Sequence, residues 1–234
     1  MGKLQDRIDE KKLEQLRNAS IPSPIHAVNY VEFKNSRYYR LYGLLLAPYA
    51  LAKGAKPVWV GLHEANIIGE EKEDEIVVLE YPSHNTLIDI FTSRYYEHIN
   101  GLREKGVKKL GFSICIPRGE KRKIGGGQHL VVRFNNKKVE GNNILEKFER
   151  TAKKYCRIKY LAHEKGFLNI FKKSETTDPL EVFFKNIAIL SNDMTAKEVI
   201  SKFKEDMGNV GIRMTMQRFR TLGIYESMPW SQMH

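Results

Sequence analysis

Hydrophobic residues recur along the chain with two different periods, and these predict its secondary structure. A period of two, typical of a strand with one buried face, runs over Ala27–Phe33. A spacing of three and four, typical of a helix with one buried side, follows from about residue 35 to Lys53, and Gly54 is placed to end it. Residues 3–17 predict a further short helix, stopped by the spacer at 20–24 with its two prolines.

The rest of the first half continues this order with two strands, a helix and a last strand. The second strand begins near Pro57, and an acidic turn, Glu70–Glu75, joins it to the third. One helix, capped by Ser83 and carrying an apolar side through Tyr95, then leads to the strand Leu110–Ile116. The predicted order is therefore βαββαβ.

The same order recurs after the glycine-rich segment 118–128. Four strands are predicted, at His129–Phe134, within 157–171, at 180–190 and at 211–219. One helix is predicted between Ile144 and Tyr155, and a second begins at a capping box, Thr195–Glu198, and buries Phe203.

These elements predict an α+β fold built from two tandem ferredoxin-like repeats. Each antiparallel sheet buries one face under its helices, so its other face needs a cover, and two such sheets can pack together as an α+β barrel within one chain. The predicted domains are an N-terminal helix with its spacer at 1–24, a first repeat at 25–117, a linker at 118–128, a second repeat at 129–221 and a tail at 222–234.

Composition narrows the class of protein. The 234 residues are 41% hydrophobic and 29% charged, which is typical of a globular protein, and no apolar run is long enough to span a membrane. The first twelve residues carry charges of both signs and no apolar signal core, and the two cysteines are too few for a disulfide framework. We therefore predict a cytoplasmic protein. The oligomeric state stays open between a monomer and a homodimer.

The net charge of +11 is uneven along the chain. Residues 1–116 hold 16 Lys and Arg against 15 Asp and Glu, a net charge of +1, whereas the remainder holds 23 against 13, a net charge of +10. A basic second half favours an anionic partner, either nucleic acid or an acidic protein, but a solvated surface has the same composition. The basic residues in question are Arg133, Lys137, Lys138, Lys153, Lys154, Arg157, Lys159, Arg213, Arg218 and Arg220.

Five motifs of the first half stand in the order of a known family. They are Asn29–Phe33, Tyr39–Tyr42, Gly54–Gly61, Val78–Ser83 and Ser93–Tyr96. Together they resemble the dimeric α+β barrel superfamily, in its domain-of-unknown-function branch related to antibiotic-biosynthesis monooxygenases.

The resemblance covers about residues 26–117 and has departures. The glycine pair that the branch often has before its second strand is Gly54-Ala55 here, and its Trp-Asp pair before the third strand is replaced by Asp74-Glu75. The resemblance implies cofactor-independent monooxygenase or isomerase chemistry if the chain is an enzyme, but a shared fold does not by itself transfer a reaction.

Polar and aromatic residues on the predicted strands and helices are the candidate site residues. His63 and Glu80 are candidate general bases, although a histidine near a strand end and a strand carboxylate are also common on surfaces. The tyrosines can equally pack a helix on the sheet. The predicted ligand-binding set is Asn29, Tyr42, Trp59, His63, Tyr81 and Tyr96.

Two functional hypotheses compete. The first is that the chain binds a small hydrophobic or aromatic molecule between its two sheets. The second is a non-catalytic module whose basic half docks nucleic acid or an acidic protein. The seven histidines show no pair spaced i, i+4 and no neighbouring cysteine, so no metal is predicted. No haem, flavin or nucleotide motif is visible, so no cofactor is predicted.

Overall fold

A computed structural model describes residues 9–118, 124–136, 142–154, 156–167, 186–191 and 212–222, together with residues 198, 202, 203 and 205. The described helices are α1 (Glu10–Arg17), α2 (Ser36–Ala52), α3 (His84–Phe91), α4 (Arg94–Gly106) and α5 (Asn142–Ala152). The described strands are β1 (Ile25–Phe33), β2 (Lys56–Ile68), β3 (Glu75–Tyr81), β4 (Val107–Pro117), β5 (Gln128–Asn136), β6 (Ile158–Phe167), β7 (Asn186–Ser191) and β8 (Ile212–Thr221).

The protein has a mixed α+β fold with an antiparallel sheet. Within the first unit of the chain the strands follow the order β3-β1-β4, and within the second they follow the order β2-β8-β5-β7-β6, with antiparallel pairing in both. None of the helices that the structure describes is long and apolar enough to cross a membrane.

The described chain divides into two compact units. The first takes in residues 9–58 and 73–116, and the second takes in residues 59–72 and most of the chain after residue 116. In the first unit, β1 pairs with β3 on one side and with β4 on the other, both antiparallel. Side chains on one face of these strands pack against α2, α3 and α4, with Tyr81, Tyr96 and Phe112 in this core.

Capping residues fix the helices of the first unit. The side chain of Asn35 accepts a hydrogen bond from the backbone of Arg37 at the start of α2. Ser83 does the same for α3 and Ser93 for α4. The apolar helix predicted across Leu87 to Tyr95 is therefore two helices, because the hydroxyl of Ser93 caps a new one.

The second unit has its own core. Strand β5 pairs with β7 and with β8, and β7 also pairs with β6. One face of this sheet packs on α5, where the rings of Phe134 and Phe148 stack with centroids 4.5 Å apart and Phe203 meets Phe148 edge-on at 5.2 Å. Phe203 is fully buried in this core, where the sequence places it.

Several strands extend beyond their predicted bounds. Strand β2 runs thirteen residues, to Ile68. Glu75 is the first residue of β3 and is buried, so the prediction that the acidic turn extends to Glu75 is wrong. Its carboxyl group meets the guanidinium of Arg40, and this pairing offsets part of the cost of burying it.

Some predictions fall outside the described residues. These are the beginning of the N-terminal helix, much of the 118–128 linker, Lys137 and Lys138, residues 195–197 of the capping box and nearly all of the tail. The tandem ferredoxin-like repeats and their domain limits stay predictions.

Candidate functional site

The sheet of the first unit has two faces, because successive side chains of a strand point to opposite sides. Ile25 and Ala27 face the helices, as do their neighbours on β3 and β4. We call the other side the second face. It carries His26, Val28, Tyr30, Ile76, Val78, Glu80, Ser113 and Cys115, all of them buried.

The second face contains a buried pair of ionisable side chains. His26 Nε2 lies 3.3 Å from Glu80 Oε2, and the two side chains are only 6% and 10% exposed. A carboxylate has only acceptor atoms, so with Glu80 ionised Nε2 carries the proton and Nδ1 carries the basic lone pair. This arrangement orients the imidazole and stabilises it when it takes up a proton.

The strand register places a cysteine thiol beside the same pair. His26 stands directly opposite Glu80 on β3 and directly opposite Cys115 on β4. Side chains at such positions have Cβ atoms about 5 Å apart. Carboxylate, imidazole and thiol therefore form one row across three neighbouring strands.

A buried hydroxyl lies on the same face, two residues from Cys115. Ser113 is 1% exposed, and among the residues that the structure describes its Oγ meets no hydrogen-bond partner. A buried hydroxyl without a partner costs free energy, about 1–3 kcal/mol. A polar atom of a bound molecule would satisfy it.

The predicted site residues of the first unit divide between the two faces. Glu80 is on the second face, whereas Tyr42, Tyr81 and Tyr96 belong to the core under the helices. Tyr42 and Tyr96 meet edge-on with centroids 6.1 Å apart. Burial raises the pKa of the Tyr42 hydroxyl well above its usual value, and the neighbouring Tyr96 raises it further, so Tyr42 stays an uncharged phenol.

Asn29 also lies on the helix-facing side. It stands opposite Val77 and Phe112, and its Nδ2 donates to the carbonyl of Val77 at 3.4 Å. This contact satisfies a local backbone group.

Trp59 belongs to the second unit and is held by a polar contact. Its indole Nε1 donates to Thr221 Oγ1 at 3.0 Å, and Thr221 donates in turn to the carbonyl of Gly125 at 3.1 Å. The ring of His129 lies 6.0 Å from the Trp59 ring. Burial, helped by the charge of Lys159, lowers the pKa of His129 to about 4, so the imidazole is neutral at pH 7.

His63, the other predicted base, is tied into an amide network of the second unit. Its Nε2 lies 2.9 Å from Asn66 Oδ1, which also accepts from Gln217 Nε2 at 2.9 Å. Gln217 Oε1 accepts from the buried guanidinium of Arg133 at 2.8 Å. His63 is half-exposed, and its described partners are amides rather than a carboxylate.

Several basic residues of the second half carry acidic or polar partners. Lys153 Nζ lies 2.6 Å from Glu149 Oε1, and Arg220 Nε lies 2.6 Å from Glu64 Oε1. Such pairs reduce the net positive field at the surface. An anionic macromolecule as a partner stays a prediction.

His26 is the member of the candidate site that the sequence reasoning missed. It stands just before the strand that was predicted to begin at Ala27, and the structure extends that strand to Ile25. The sequence does contain a signal, because side chains of a strand alternate between its two faces. His26 is one residue before Ala27 and three before Asn29, so its side chain lies on the opposite face from both. Its pairing with Glu80 depends on the β1–β3 register, which no local pattern specifies.

Comparison with known proteins places the fold. A solved structure of an anthrone oxidase-like protein matches with a TM-score of 0.53 at 7% identity, over 86% of this chain and 92% of that one. A protein of unknown function from Rhodopseudomonas palustris matches at 24% identity with a TM-score of 0.44, over 47% of this chain and 95% of that one. No curated protein sequence matches the chain.

A family match covers the part of the chain in which the sequence motifs lie. The model of the family described as "Domain of unknown function (DUF1330)" matches residues 24–114, close to the 26–117 over which the resemblance was predicted. The predicted resemblance of the first half to a domain-of-unknown-function branch of the α+β barrel proteins is thereby confirmed, and residues 24–114 are a match to DUF1330.

Proposed function

We propose that the second face of the first unit binds a small hydrophobic or aromatic molecule and that the His26–Glu80 pair moves a proton on it. The observation that carries this proposal is the contact of 3.3 Å between two buried ionisable groups on a face that is otherwise largely apolar. Burying an ionisable pair costs free energy of desolvation, and ionisable groups in such environments are concentrated at functional sites.

The neighbours of the pair support an apolar ligand with one or two polar atoms. Val28, Ile76 and Val78 are fully buried on the same face, and they would contact the rings or chains of the ligand. Ser113 Oγ is a buried hydrogen-bonding group that would bind a carbonyl or hydroxyl of the ligand. Ligand sites in proteins commonly combine such an apolar lining with a few polar groups.

The chemistry of the pair is general acid–base catalysis. The imidazole takes a proton at Nδ1 from an acidic carbon or a phenol of the ligand, and the Glu80 carboxylate at Nε2 stabilises the imidazolium that forms. The proton returns from Nδ1 to the same or another atom of the ligand. Return to another atom is an isomerisation, and the carbanion formed on proton loss is the species that reacts with oxygen in cofactor-independent oxygenation.

A carbon acid that reports proton abstraction directly tests this proposal. We choose 1,8-dihydroxyanthrone, because the methylene protons at its C10 are acidic and their exchange for deuterium is measured by NMR without oxygen. We expect the native protein to accelerate this exchange over buffer. His26→Gln and Glu80→Gln should each lower the acceleration about a hundredfold or more, the usual range for loss of a general base.

A matched control separates this role from charge or folding. His98→Gln removes an exposed imidazole of α4 and should leave the exchange rate unchanged, with folding of all variants checked by circular dichroism. Exchange that persists in His26→Gln, or a native protein that neither binds the anthrone in calorimetry nor accelerates its exchange, overturns the proposal.

The proposal includes the finer reading of the fold as two fused repeats. The ladders β4-β1-β3 in the first unit and β8-β5-β7-β6 in the second support it. In both, the first strand of the repeat pairs with the third strand on one side and with the last strand on the other, as in a split βαβ arrangement. The ligand is placed on the first repeat because the His26–Glu80 pair is there.

A further inference from the structure

The outer side of α2 is apolar and exposed. Within the described residues, large apolar side chains with substantial exposure occur on α2 and α4, and Leu44 is 66% exposed. Ordinary surfaces scatter such residues singly, whereas a contiguous patch indicates an interaction site. We call the group the α2 patch, and its members are Tyr38, Leu41, Leu44, Leu45 and Tyr95.

The α2 patch follows one line of the helix. Tyr38, Leu41 and Leu45 of the patch are spaced by three and four residues, and the exposed Pro48 follows three residues later. All four therefore lie on one side of α2. A different side, centred on Leu46 and Ala50, packs into the core. Helix α2 is therefore apolar on two sides, and the residues that the structure describes cover only one of them.

Contacts within the first unit fix the position of Tyr95 beside this line. The hydroxyl of Tyr95 donates to the carbonyl of Leu45 at 2.8 Å, and its ring lies 4.9 Å from that of Tyr49. The aromatic ring therefore widens the apolar surface, and the polar tip of the residue lies at the helix.

Cations lie at both ends of the α2 patch. Lys105 Nζ is 5.7 Å from the centre of the Tyr38 ring, and Lys53 Nζ is 5.9 Å from the centre of the Tyr49 ring. Arg37 is exposed at the start of the helix. Helix α2 contains no Asp or Glu between Ser36 and Ala52, so the charged side chains of the helix itself are all positive, although the first half of the chain is nearly neutral.

We propose that the α2 patch docks on an anionic lipid surface, with α2 lying in the plane of the interface. Exposed leucines would enter the boundary between headgroups and acyl chains, and the tyrosines would lie at headgroup level, where aromatic side chains are enriched. The flanking cations would contact anionic headgroups. This surface is separate from the His26–Glu80 pair, which lies on the far side of the sheet from the helices.

A second copy of the chain fits this patch less well. A two-fold contact places the same patch on both partners, so the cations around α2 would face each other. Helix α2 has no carboxylate to pair with them, and like charges at close range oppose association. A lipid surface supplies the negative charge that a second copy lacks.

Vesicle flotation tests the proposal with the full chain. Vesicles of phosphatidylcholine and phosphatidylglycerol in about equal parts should bind the native protein, and vesicles of phosphatidylcholine alone should bind it at least about tenfold more weakly. Leu41→Gln with Leu44→Gln should lower the partition coefficient about tenfold or more, because both side chains leave water on binding. Lys53→Gln with Lys105→Gln should lower it about tenfold and reduce its salt dependence.

The matched control carries the same charge change on another helix. Lys11→Gln with Lys12→Gln, two exposed positions of α1, should leave the partition coefficient within about twofold of the native value. All substituted side chains are exposed, and circular dichroism confirms folding.

Equal binding by the native protein and the leucine double variant overturns the proposal. So does a native protein that does not bind the anionic vesicles. One outcome assigns the patch to a second copy instead. In it the native protein binds no vesicles and is a dimer in analytical ultracentrifugation, and the leucine double variant is a monomer.

Discussion

Replacing Glu75 with glutamine is expected to abolish one pH dependence of the native protein. The titration of Glu75 lowers the free energy of unfolding by about 3 kcal/mol as pH rises, and the variant should lack this fall. Burial raises the pKa of Glu75 from 4.5 to about 7, against the opposing effect of Arg40. Between these two values the folded state binds more protons than the unfolded state, so the free energy of unfolding falls with rising pH. Each unit of pKa difference corresponds to about 1.4 kcal/mol, and the carboxylate is only 1% exposed.

The titration of His129 has the opposite effect on the free energy of unfolding, over an overlapping pH range. Its pKa is lowered from 6.5 to about 4, so between these values the unfolded state binds more protons and stability rises with pH. The two slopes therefore oppose each other between about pH 4.5 and 6.5, and the native protein shows only their difference. Glu75→Gln should expose the rising slope of His129.

Urea unfolding at a series of pH values measures this effect. The difference in unfolding free energy between Glu75→Gln and the native protein should grow in favour of the variant by about 3 kcal/mol from pH 4 to pH 8. Glu146→Gln, which replaces a carboxylate that is 49% exposed, is the control and should show no such growth. A difference for Glu75→Gln that stays constant across this range contradicts the raised pKa.

The local part of the fold was predictable because it depends on nearby residues. Asn35 caps α2 through a hydrogen bond two residues along the chain, and Ser83 caps α3 in the same local way. The same reasoning did not find the second cap at Ser93, because the apolar spacing continues smoothly from Phe91 to Tyr95. A hydroxyl that bonds within its own turn decides such a boundary, and hydrophobic spacing does not reveal it.

The non-local part depended on register and on partners distant in sequence. Glu75 looked like the end of an acidic run, yet Arg40, thirty-five positions earlier, lets it be buried at the start of β3. Glu80 was correctly singled out as a candidate, but its partner His26 is brought to it by the pairing of β1 with β3. Tyr81, its neighbour in sequence, points to the helices instead.

The last expected result concerns the contact between the start of α2 and the end of α4, which supports the sheet that carries the His26–Glu80 pair. The carbonyl of Gly106 accepts hydrogen bonds from the backbone of Lys34 at 2.8 Å and of Asn35 at 2.9 Å. A methyl group at Gly106 would lie 2.5 Å from the backbone nitrogen of Tyr39 and 2.9 Å from its Cα. These are backbone atoms, so relief requires α2 to move rather than a side chain to rotate.

Gly106→Ala should therefore lower the free energy of unfolding by about 3 kcal/mol, at the upper end of the range for overpacking. Gly101→Ala is the matched control, because it lies in the same helix and a methyl group there meets no atom within 4 Å. It should raise stability by about 0.5–1 kcal/mol, since alanine favours the helix over glycine. Urea unfolding of both variants gives the comparison, and equal shifts in the two would show that the approach of Tyr39 to Gly106 does not constrain the fold.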